Sequence, residues 1–207
     1  MTVDDVAEIT QIHLSSWDKN ILLTKLGKIF LSECFYGSIV TSRYAFGFVY
    51  CKENKIIGYA TGFLSYPSFF KKNPKKTLGY LIALCKLITF KLSWKDILDA
   101  MSEARKYKNL LDPEYQLGAL ALRNEYKGTL IGRRAIMVCL NAVLNNFEKS
   151  KAKSVWAITY NQNIPMQKYL ERLGFELIEE IKLRARVVLI YEKVLKYRIV
   201  TLSHKTT

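Results

Sequence analysis

The spacing of apolar residues predicts two helices at the start of the chain. Asp4 and Asp5 are residues typical of a helix start, and apolar side chains recur with helical spacing from Val6 to Trp17. A second pattern of this kind extends over residues 20–36. The polar residues between the two patterns predict a short turn, so the chain is expected to begin with a helical pair.

Strand-like segments follow the two helices. Residues 45–51 and 55–65 are rich in β-branched and aromatic residues, and Glu53 and Asn54 between them predict a hairpin turn. Further segments with strand composition are 115–122, 154–160, 175–183 and 187–195. Helical patterns separate several of these strand-like segments.

The most informative stretch is residues 116–135, where a strand, a turn and a helix follow one another. The apolar run from Leu117 to Leu122 ends in a polar turn, and a helical pattern starts at about Leu130. Small and basic residues gather at the junction: Lys127, Gly128, Thr129, Gly132, Arg133 and Arg134. Such a helix N-terminus attracts an anion through free backbone N–H groups, the helix dipole and the basic side chains. The stretch predicts a pyrophosphate-binding turn, and an ordinary strand-to-helix connection explains the pattern equally well.

The remaining pattern predicts one domain. A last helical pattern covers residues 165–173, and Gly174 ends it. The polar residues 196–207 predict a frayed tail. No repeat or linker-like composition interrupts the sequence, so we expect a single domain over residues 1–207.

The composition is that of a folded protein with anionic partners. Half of the 207 residues are apolar, and the net charge is +14. This charge favours a phosphorylated cofactor, a sugar nucleotide, a nucleic acid or an acidic membrane surface, without choosing among them. The N-terminal residues lack the apolar core of a signal peptide, and no stretch reaches the roughly 20 apolar residues of a membrane span. We therefore expect a cytoplasmic protein.

The cysteines and histidines give no indication of a metal site. The four cysteines are Cys34, Cys51, Cys85 and Cys139. They lie far apart without a C-x-x-C pattern, which predicts reduced and mostly buried thiols. The two histidines, His13 and His204, are too few for a metal cluster.

Residues 66–112 form a basic segment with helical patterning. YPSFFKKNPKK is expected to be a loop, and LGYLIALCKLITF and WKDILDAMSEARKY are helical patterns. Between residues 66 and 110 there are ten Lys or Arg and three acidic residues, a difference of +7. Such a segment can lie on an anionic membrane, can cap the domain and hold an anionic substrate, or can be a solvated helical insertion.

The sequence LRNEYKGTLIGRRA, residues 122–135, resembles the acetyl-CoA-binding motif of the GNAT family of N-acetyltransferases. That motif, Arg/Gln-x-x-Gly-x-Gly/Ala, lies between the fourth strand and the third helix of the family fold. Lys127 takes its first position and Gly132 its last, whereas Leu130 replaces its first glycine. KENKIIGYATGFLSY, residues 52–66, resembles the second and third strands of the same fold.

A second motif follows at the expected distance. NIPMQKYLERLGF, residues 163–175, resembles the family signature N-x-x-A-x-x-x-Y-x-x-x-G-F. Three positions match: Asn163, Gly174 and Phe175. Met166 replaces the alanine, and Leu170 replaces the tyrosine, with Tyr169 one residue earlier.

The resemblance implies both a fold and an activity. The GNAT fold is of the α/β class, with a mixed, mostly antiparallel sheet of about six to seven strands flanked by helices, and residues 66–112 would be an insertion between its third and fourth strands. The implied reaction is the transfer of an acetyl group from acetyl-CoA to a primary amine that attacks the thioester directly. The basic insertion is similar to that of a subgroup associated with polysaccharide and lipopolysaccharide gene clusters, which implies an amino-sugar nucleotide as acceptor.

The resemblance also implies a cofactor site in a split between the fourth and fifth strands. The strand edge would bind the pantetheine arm, the turn would bind the pyrophosphate, and the start of the second motif would contact the far end of pantetheine. The implied cofactor-binding residues are Leu120, Ala121, Leu122, Lys127, Gly128, Thr129, Leu130, Ile131, Gly132, Arg133, Asn163 and Met166.

The catalytic groups that the family uses are replaced in this chain. Members with a carboxylate base carry it at the position of Gln116, which is not a useful base at neutral pH. Glu114 shares the face of the strand and is the candidate base, or else a salt-bridged surface residue. With Leu170 at the usual tyrosine position, Tyr160 and Tyr169 are the candidate acids, or else core aromatics.

The acceptor side is implied by the first helices of the family fold. Trp17, Asp18 and Asn20 are the candidates there, together with Gln116; alternatively, Trp17 is a core anchor and Asp18 a helix cap. The expected partners are a small amine and no nucleic acid, with peripheral membrane contact through residues 66–112 left open, and a monomer or homodimer is expected. The alternative function is a non-catalytic CoA-binding or membrane-surface protein on the same fold.

Overall fold

The computed structural model describes residues 1–19, 21–89, 92–95, 97–98, 115–182 and 187–195. The candidate residues Asn20 and Glu114 lie outside the described residues. So do the predicted tail 196–207 and most of the second helical pattern of the basic segment.

One mixed sheet forms the centre of the molecule. Its strands are β1 (Ala45–Lys52), β2 (Lys55–Phe63), β3 (Gln116–Leu122), β4 (Ser154–Tyr160), β5 (Glu176–Lys182) and β6 (Val187–Val194). Their order is β1-β2-β3-β4-β6-β5, and the strands pair antiparallel except for the parallel pair β3–β4. The expected mixed and mostly antiparallel sheet is therefore confirmed, with six strands among the described residues.

The helices follow the predicted order, with additional breaks. They are α1 (Val6–Ser16), α2 (Leu22–Ile29), a π-helix (Phe30–Tyr36), α3 (Gly37–Thr41), α4 (Tyr66–Lys71), α5 (Lys76–Ile88), a 3₁₀ turn (Asn124–Tyr126), α6 (Leu130–Lys149) and α7 (Ile164–Arg172). The predicted helix over residues 20–36 is kinked at Gly27, where φ is +81°, and continues in the wider π form.

Two local expectations have opposite outcomes. The hairpin turn is confirmed, because Glu53 and Asn54 have φ values of 50° and 60°, as a two-residue turn between twisted strands requires. The loop expected at the start of residues 66–76 is wrong, because α4 forms there. Pro67 is tolerated in its first turn, and Phe69 is buried at 1% exposure. Burial of one aromatic side chain thus stabilises a helix that the local pattern does not indicate.

The core has one layer on each face of the sheet. On one face, α6 and α7 bury apolar side chains against β3 and β4, among them Val143, Phe147 and Leu170. On the other face, α1 and the π-helix bury Ile9 and Tyr36 against β2 and β3. The two layers hold β3 between them.

An ion pair fixes α1 to the end of β3. Glu8 Oε1 pairs with Arg123 Nη2 and also accepts a hydrogen bond from Ile56 N at 3.0 Å. Arg123 Nε donates to Ile56 O at 2.6 Å. Since the two side chains satisfy each other and also the N–H and C=O of Ile56, the helix has a defined position relative to the end of β3.

The cysteines are unpaired thiols of two kinds. Cys34 and Cys139 are buried, and burial raises the pKa of Cys139 to about 12. Cys51 and Cys85 are exposed, so the expectation of mostly buried thiols is wrong for half of them. Within the described ranges, no cluster of side chains could hold a metal ion, and no helix combines the length and apolar character needed to cross a membrane.

Candidate functional site

β3 and β4 separate soon after they meet. Among the described residues, their register contains one pair, Gln116 with Trp156, beside a hydrogen bond of 3.0 Å from Trp156 N to Tyr115 O. On their outer edges, β3 pairs with β2 as far as Leu122 and β4 pairs with β6 as far as Tyr160. The two inner edges therefore form a cleft that opens toward the carboxyl ends of the strands, with the buried Gln116 at its closed end. Ligands of open α/β sheets bind at such carboxyl ends.

A β-bulge lies on the β3 wall of the cleft. The register between β2 and β3 shifts between Ala60 and Gly62, so that Gly118 and Ala119 together face Thr61. A Cβ on Gly118 would lie 2.4 Å from Thr61 Oγ1, and that hydroxyl donates to Ala119 O at 3.1 Å. The bulge was not predicted from the sequence, although a glycine inside a strand was a signal for it.

The bulge reverses the alternation of side chains along β3. Leu117 packs in the layer beside α6, whereas Ala119 and Ala121 pack in the layer beside α1. Leu120 and Leu122 return to the α6 side. Because side chains alternate with a period of two, one extra residue is enough to produce this change.

The turn between β3 and α6 requires its small residues. Gly128 has a φ of +78°, in the left-handed region that favours glycine. A Cβ on Gly132 would lie 2.0 Å from Tyr126 O, so no larger residue fits without a shift of the backbone. Thr129 caps the helix: its Oγ1 accepts a hydrogen bond from Gly132 N at 3.0 Å and donates to Tyr126 O at 2.8 Å.

This turn presents positive charge and backbone donors. The N–H groups of Leu130 and Ile131 precede the first intrahelical bond, from Arg133 N to Thr129 O, so the helix itself does not satisfy them. Leu130 is 76% exposed, so the side chain that replaces the family's first glycine extends into solvent. The basic residues Lys127, Arg133 and Arg134 are exposed here, with one acid, Glu125, in the preceding turn. The geometry fits an anionic group at the helix end.

The carboxyl end of α1 lies along the inner edge of β3. Ser16 Oγ donates to Leu122 O, and Trp17 Nε1 donates to Leu120 O at 3.2 Å. Lys127 Nζ donates to Ser16 O at 3.3 Å. Two carbonyl groups of the predicted pantetheine-binding edge therefore already accept hydrogen bonds from the α1 end. The sequence contained no signal that Ser16 would reach this edge.

The Trp17 side chain contacts both the inner edge of β3 and the core. Its ring stacks on His13 with centroids 4.5 Å apart and planes 14° apart. His13 Nδ1 and Tyr36 OH form a hydrogen bond of 2.6 Å, and Tyr36 OH lies 2.5 Å from Tyr59 OH. Burial lowers the pKa of His13 to about 4, so the imidazole is neutral at physiological pH. Of the other acceptor-side candidates, Asp18 is exposed.

The second motif begins where β4 leaves the cleft. Asn163 caps α7, and its Oδ1 accepts a hydrogen bond from Met166 N at 3.3 Å. Gln167 Nε2 donates to Tyr160 O at 3.3 Å and to Asn161 O at 2.7 Å, which ties the helix to the end of β4. Asn163 and the Lys127–Arg133 turn therefore follow neighbouring parallel strands at the same edge of the sheet.

The candidate acids lie on different faces of the sheet. Tyr169 is partly buried in the layer beside α6, whereas Tyr160 packs with Ile158 in a small cluster on the opposite face of β4. Leu170, at the position of the family's tyrosine, is fully buried in the core. Gln116 is 8% exposed at the closed end of the cleft, so a residue without acid–base chemistry stands where the family carboxylate is expected.

Comparison with solved structures identifies the fold. A protein from Desulfovibrio desulfuricans, described as an acetyltransferase of the GNAT family, is similar with a TM-score of 0.57 and 13% identity over 92% of each chain. The ribosomal-protein-S18-alanine N-acetyltransferase of Escherichia coli has a TM-score of 0.55 and 12% identity, over 98% of this chain and 95% of that one. A PaiA N-acetyltransferase of Thermoplasma acidophilum, solved in complex with coenzyme A, has a TM-score of 0.54 and 13% identity, over 94% and 96%.

These likenesses establish the GNAT fold that the motifs implied. No protein-family model and no curated protein matches the chain. The comparisons give no support to the polysaccharide-cluster subgroup, so that expectation stays a prediction.

Proposed function

We propose that this protein is an acetyl-CoA-dependent N-acetyltransferase whose acceptor is a primary amine. The observation that carries the proposal is the cleft between β3 and β4 that ends at a glycine-dependent, capped and basic helix N-terminus. The GNAT fold of the chain supports it, and one structural neighbour of that fold was solved with coenzyme A.

The residues of the turn fit the pyrophosphate of coenzyme A. Leu130 and Ile131 would donate through their backbone N–H groups, and Lys127 and Arg133 would supply charge-assisted hydrogen bonds. Gly132 is needed because a Cβ at this position would lie 2.0 Å from Tyr126 O. When bound, acetyl-CoA supplies an activated thioester to which the amine adds directly.

Other residues of the chain would bind and orient. The peptide groups of Leu120 to Leu122 would bind the pantetheine amides, and Asn163 would contact the far end through the amide nitrogen that its capping bond does not use. Trp17 would form the acceptor-side wall. Removal of the amine proton is assigned to Glu114, and the acid for the leaving thiolate to Tyr160 or Tyr169; these assignments rest on the sequence alone.

The first experiment is a calorimetric titration of the whole protein with acetyl-CoA. Arg133→Gln should weaken binding by about tenfold or more, because one charge-assisted contact to phosphate is worth about 1.5 kcal/mol or more. Lys149→Gln, at the exposed far end of the same helix, is the matched control and should bind like wild type. Acetylpantetheine, which lacks the pyrophosphate, should bind equally to all three proteins. No binding of acetyl-CoA at millimolar concentration would contradict the cofactor assignment.

A non-catalytic CoA-binding protein is the second candidate. The buried Leu170 and the Gln116 at the closed end of the cleft favour it, because both replace groups that carry chemistry in the family. An acceptor panel of peptide N-termini, polyamines and amino-sugar nucleotides separates the two, with release of free CoA thiol as the readout. Binding without release on any acceptor would favour the second candidate; release on one class would identify the acceptor, for which the amino-sugar nucleotide is one option only.

A further inference from the structure

α5 carries an apolar face on its outer side. Leu81, Leu84 and Ile88 follow one another at helical spacing and are exposed by 55%, 51% and 67%. Tyr80 is exposed by 73% beside them. A surface helix normally turns such residues toward the core, so this arrangement needs a partner outside the described part of the chain.

The opposite side of α5 packs against the rest of the protein, so the apolar face of the helix points into solvent. Gly79 is buried, and a Cβ there would lie 3.2 Å from Phe30 Cε2 of the π-helix. Near the end of the helix, Lys86 extends over Gly27, since a Cβ there would lie 3.4 Å from Lys86 Nζ. A small residue at the contact lets the helix approach closely and leaves its larger apolar side chains to solvent.

The apolar surface continues beyond the end of α5. Leu92 is buried and its backbone N donates to Lys86 O at 3.1 Å, which fixes the chain there. Trp94 and Leu98 follow and are exposed by 70% and 62%. Exposed tryptophan and tyrosine are characteristic of the boundary between lipid tails and headgroups.

From residue 66 to residue 95, along α5 and past its end, every charged residue in the sequence is a lysine. Between Glu53 and Asp96 the sequence has no acidic residue and eight lysines. The lysines are at positions 55, 71, 72, 75, 76, 86, 91 and 95. Protein–protein interfaces are depleted in lysine, whereas helices on anionic membranes combine apolar and aromatic residues with lysines that reach the headgroups.

From this complementarity we propose that the outer face of α5, with Trp94 and Leu98, docks on an anionic lipid bilayer. The helix has 13 residues and is therefore about 20 Å long, which suits a helix that lies in the interface rather than one that crosses the bilayer. Leu81, Leu84 and Ile88 enter the acyl boundary, and exposed lysines at its edge, among them Lys71 and Lys76, contact the phosphates. The proposal is independent of the acetyltransferase activity.

The test is co-sedimentation of the full chain with vesicles of phosphatidylcholine, alone and mixed with phosphatidylglycerol. Binding is expected only to the mixed vesicles and should fall with added salt. The double variant Leu81→Asp with Leu84→Asp should reduce partitioning at least about tenfold, because each carboxylate opposes both burial and the lipid charge. The matched control is Val138→Asp with Ile164→Asp, at exposed apolar positions elsewhere.

A second pair of variants tests the electrostatic contribution of the lysines to vesicle binding. Lys71→Gln with Lys76→Gln should weaken binding by about tenfold, at roughly one factor of three to five per lysine. Lys149→Gln with Lys168→Gln removes the same charge from other exposed helix positions and should have a smaller effect. Fluorescence gives an independent readout: vesicles should shift the emission of the wild type to the blue, and Trp94→Phe should remove that shift.

Four results would overturn the proposal. Equal binding to neutral vesicles, or wild-type binding by the aspartate variant, would remove the lipid assignment. A dimer in solution that the aspartate variant dissociates, without vesicle binding, would assign the face to a second copy. Protection of an engineered Leu81→Cys thiol in the absence of vesicles would show that another part of the chain covers it. Circular dichroism and urea unfolding of each variant serve as the folding control, because neither depends on acetyl-CoA binding and the outcome therefore stays separate from that of the proposed function.

Discussion

The buried imidazole of His13 should make the stability of the protein depend on pH. His13 is fully buried, and its contacts are the neutral groups of Tyr36, Tyr59, Thr24 and Trp17. Burial lowers its pKa from 6.5 to about 4. In the unfolded chain the imidazole of His13 is therefore protonated below about pH 6.5, whereas in the folded protein it is protonated only below about pH 4.

The magnitude follows from this difference in pKa. His13 contributes stability that is fully present above pH 6.5 and is lost as the pH falls toward 4, because protonation then favours the unfolded state. A difference of about 2.5 pH units corresponds to about 3 kcal/mol in full, at about 1.36 kcal/mol per unit. Between pH 7 and pH 5 the loss should be about 2 kcal/mol.

The measurement is urea unfolding of wild type and His13→Gln at several pH values from 7 to 5. His13→Gln should be less stable at pH 7, because it loses the contacts with Tyr36 and Trp17, and the difference should shrink by about 2 kcal/mol at pH 5. Carboxylates titrate in both proteins and cancel in the difference. His204→Gln, which replaces the other histidine, should follow the wild type.

Two outcomes would refute this reasoning. Parallel stability curves for wild type and His13→Gln would mean that the imidazole has the same pKa in both states. An NMR titration of the folded protein in which His13 changes protonation near pH 6.5 would mean that burial does not exclude the proton. In either case, the His13 ring that is hydrogen-bonded to Tyr36 would not remain neutral over the whole range from pH 7 to pH 5.

Two further predictions concern the core and the cleft. Leu170→Tyr should lower the unfolding free energy by about 1–3 kcal/mol and give no gain in turnover, because the side chain at this position is enclosed in the core. A variant that is as stable as wild type and turns over faster would place this position in the cleft instead. Trp17→Ala should cost about 3 kcal/mol in urea unfolding, whereas Trp17→Phe keeps a ring against His13 and should cost less than half of that. Equal losses would assign the effect to the indole N–H bond with Leu120 O rather than to stacking.

Patterns that depend on neighbouring residues in sequence were predictable. The order of helices and strands, the hairpin at Glu53 and Asn54 and the turn before α6 all follow from periodicity and turn chemistry. The glycines of that turn were recognisable because their positions carry a steric requirement, now visible as the contact between Gly132 and Tyr126 O. The GNAT fold was predicted through motifs that combine these local features.

Features that depend on contacts between distant segments were not predictable. α4 forms because Phe69 fits between aromatic side chains of other elements, and the bulge at Gly118 depends on the register with β2. The hydrogen bond from Ser16 to Leu122 O joins residues 106 positions apart. Serine at a helix end has many local uses, so nothing in its surroundings could indicate this one.

The position of α1 sets a condition for any long ligand in the cleft. Displacing Ser16 and Trp17 from β3 would break the stacking on His13 and would work against the Glu8–Arg123 pair that fixes the helix. Less free energy is lost if α1 stays in place and the ligand shares its hydrogen-bonding partners. Each carbonyl oxygen of β3 has two lone pairs, and the Lys127 ammonium has three donors. A pantetheine arm can therefore add a hydrogen bond at the edge while α1 keeps its own. On this argument the α1 end is a wall of the site that the ligand meets already in place, and acetyl-CoA binding should leave the His13 signals in NMR spectra unchanged.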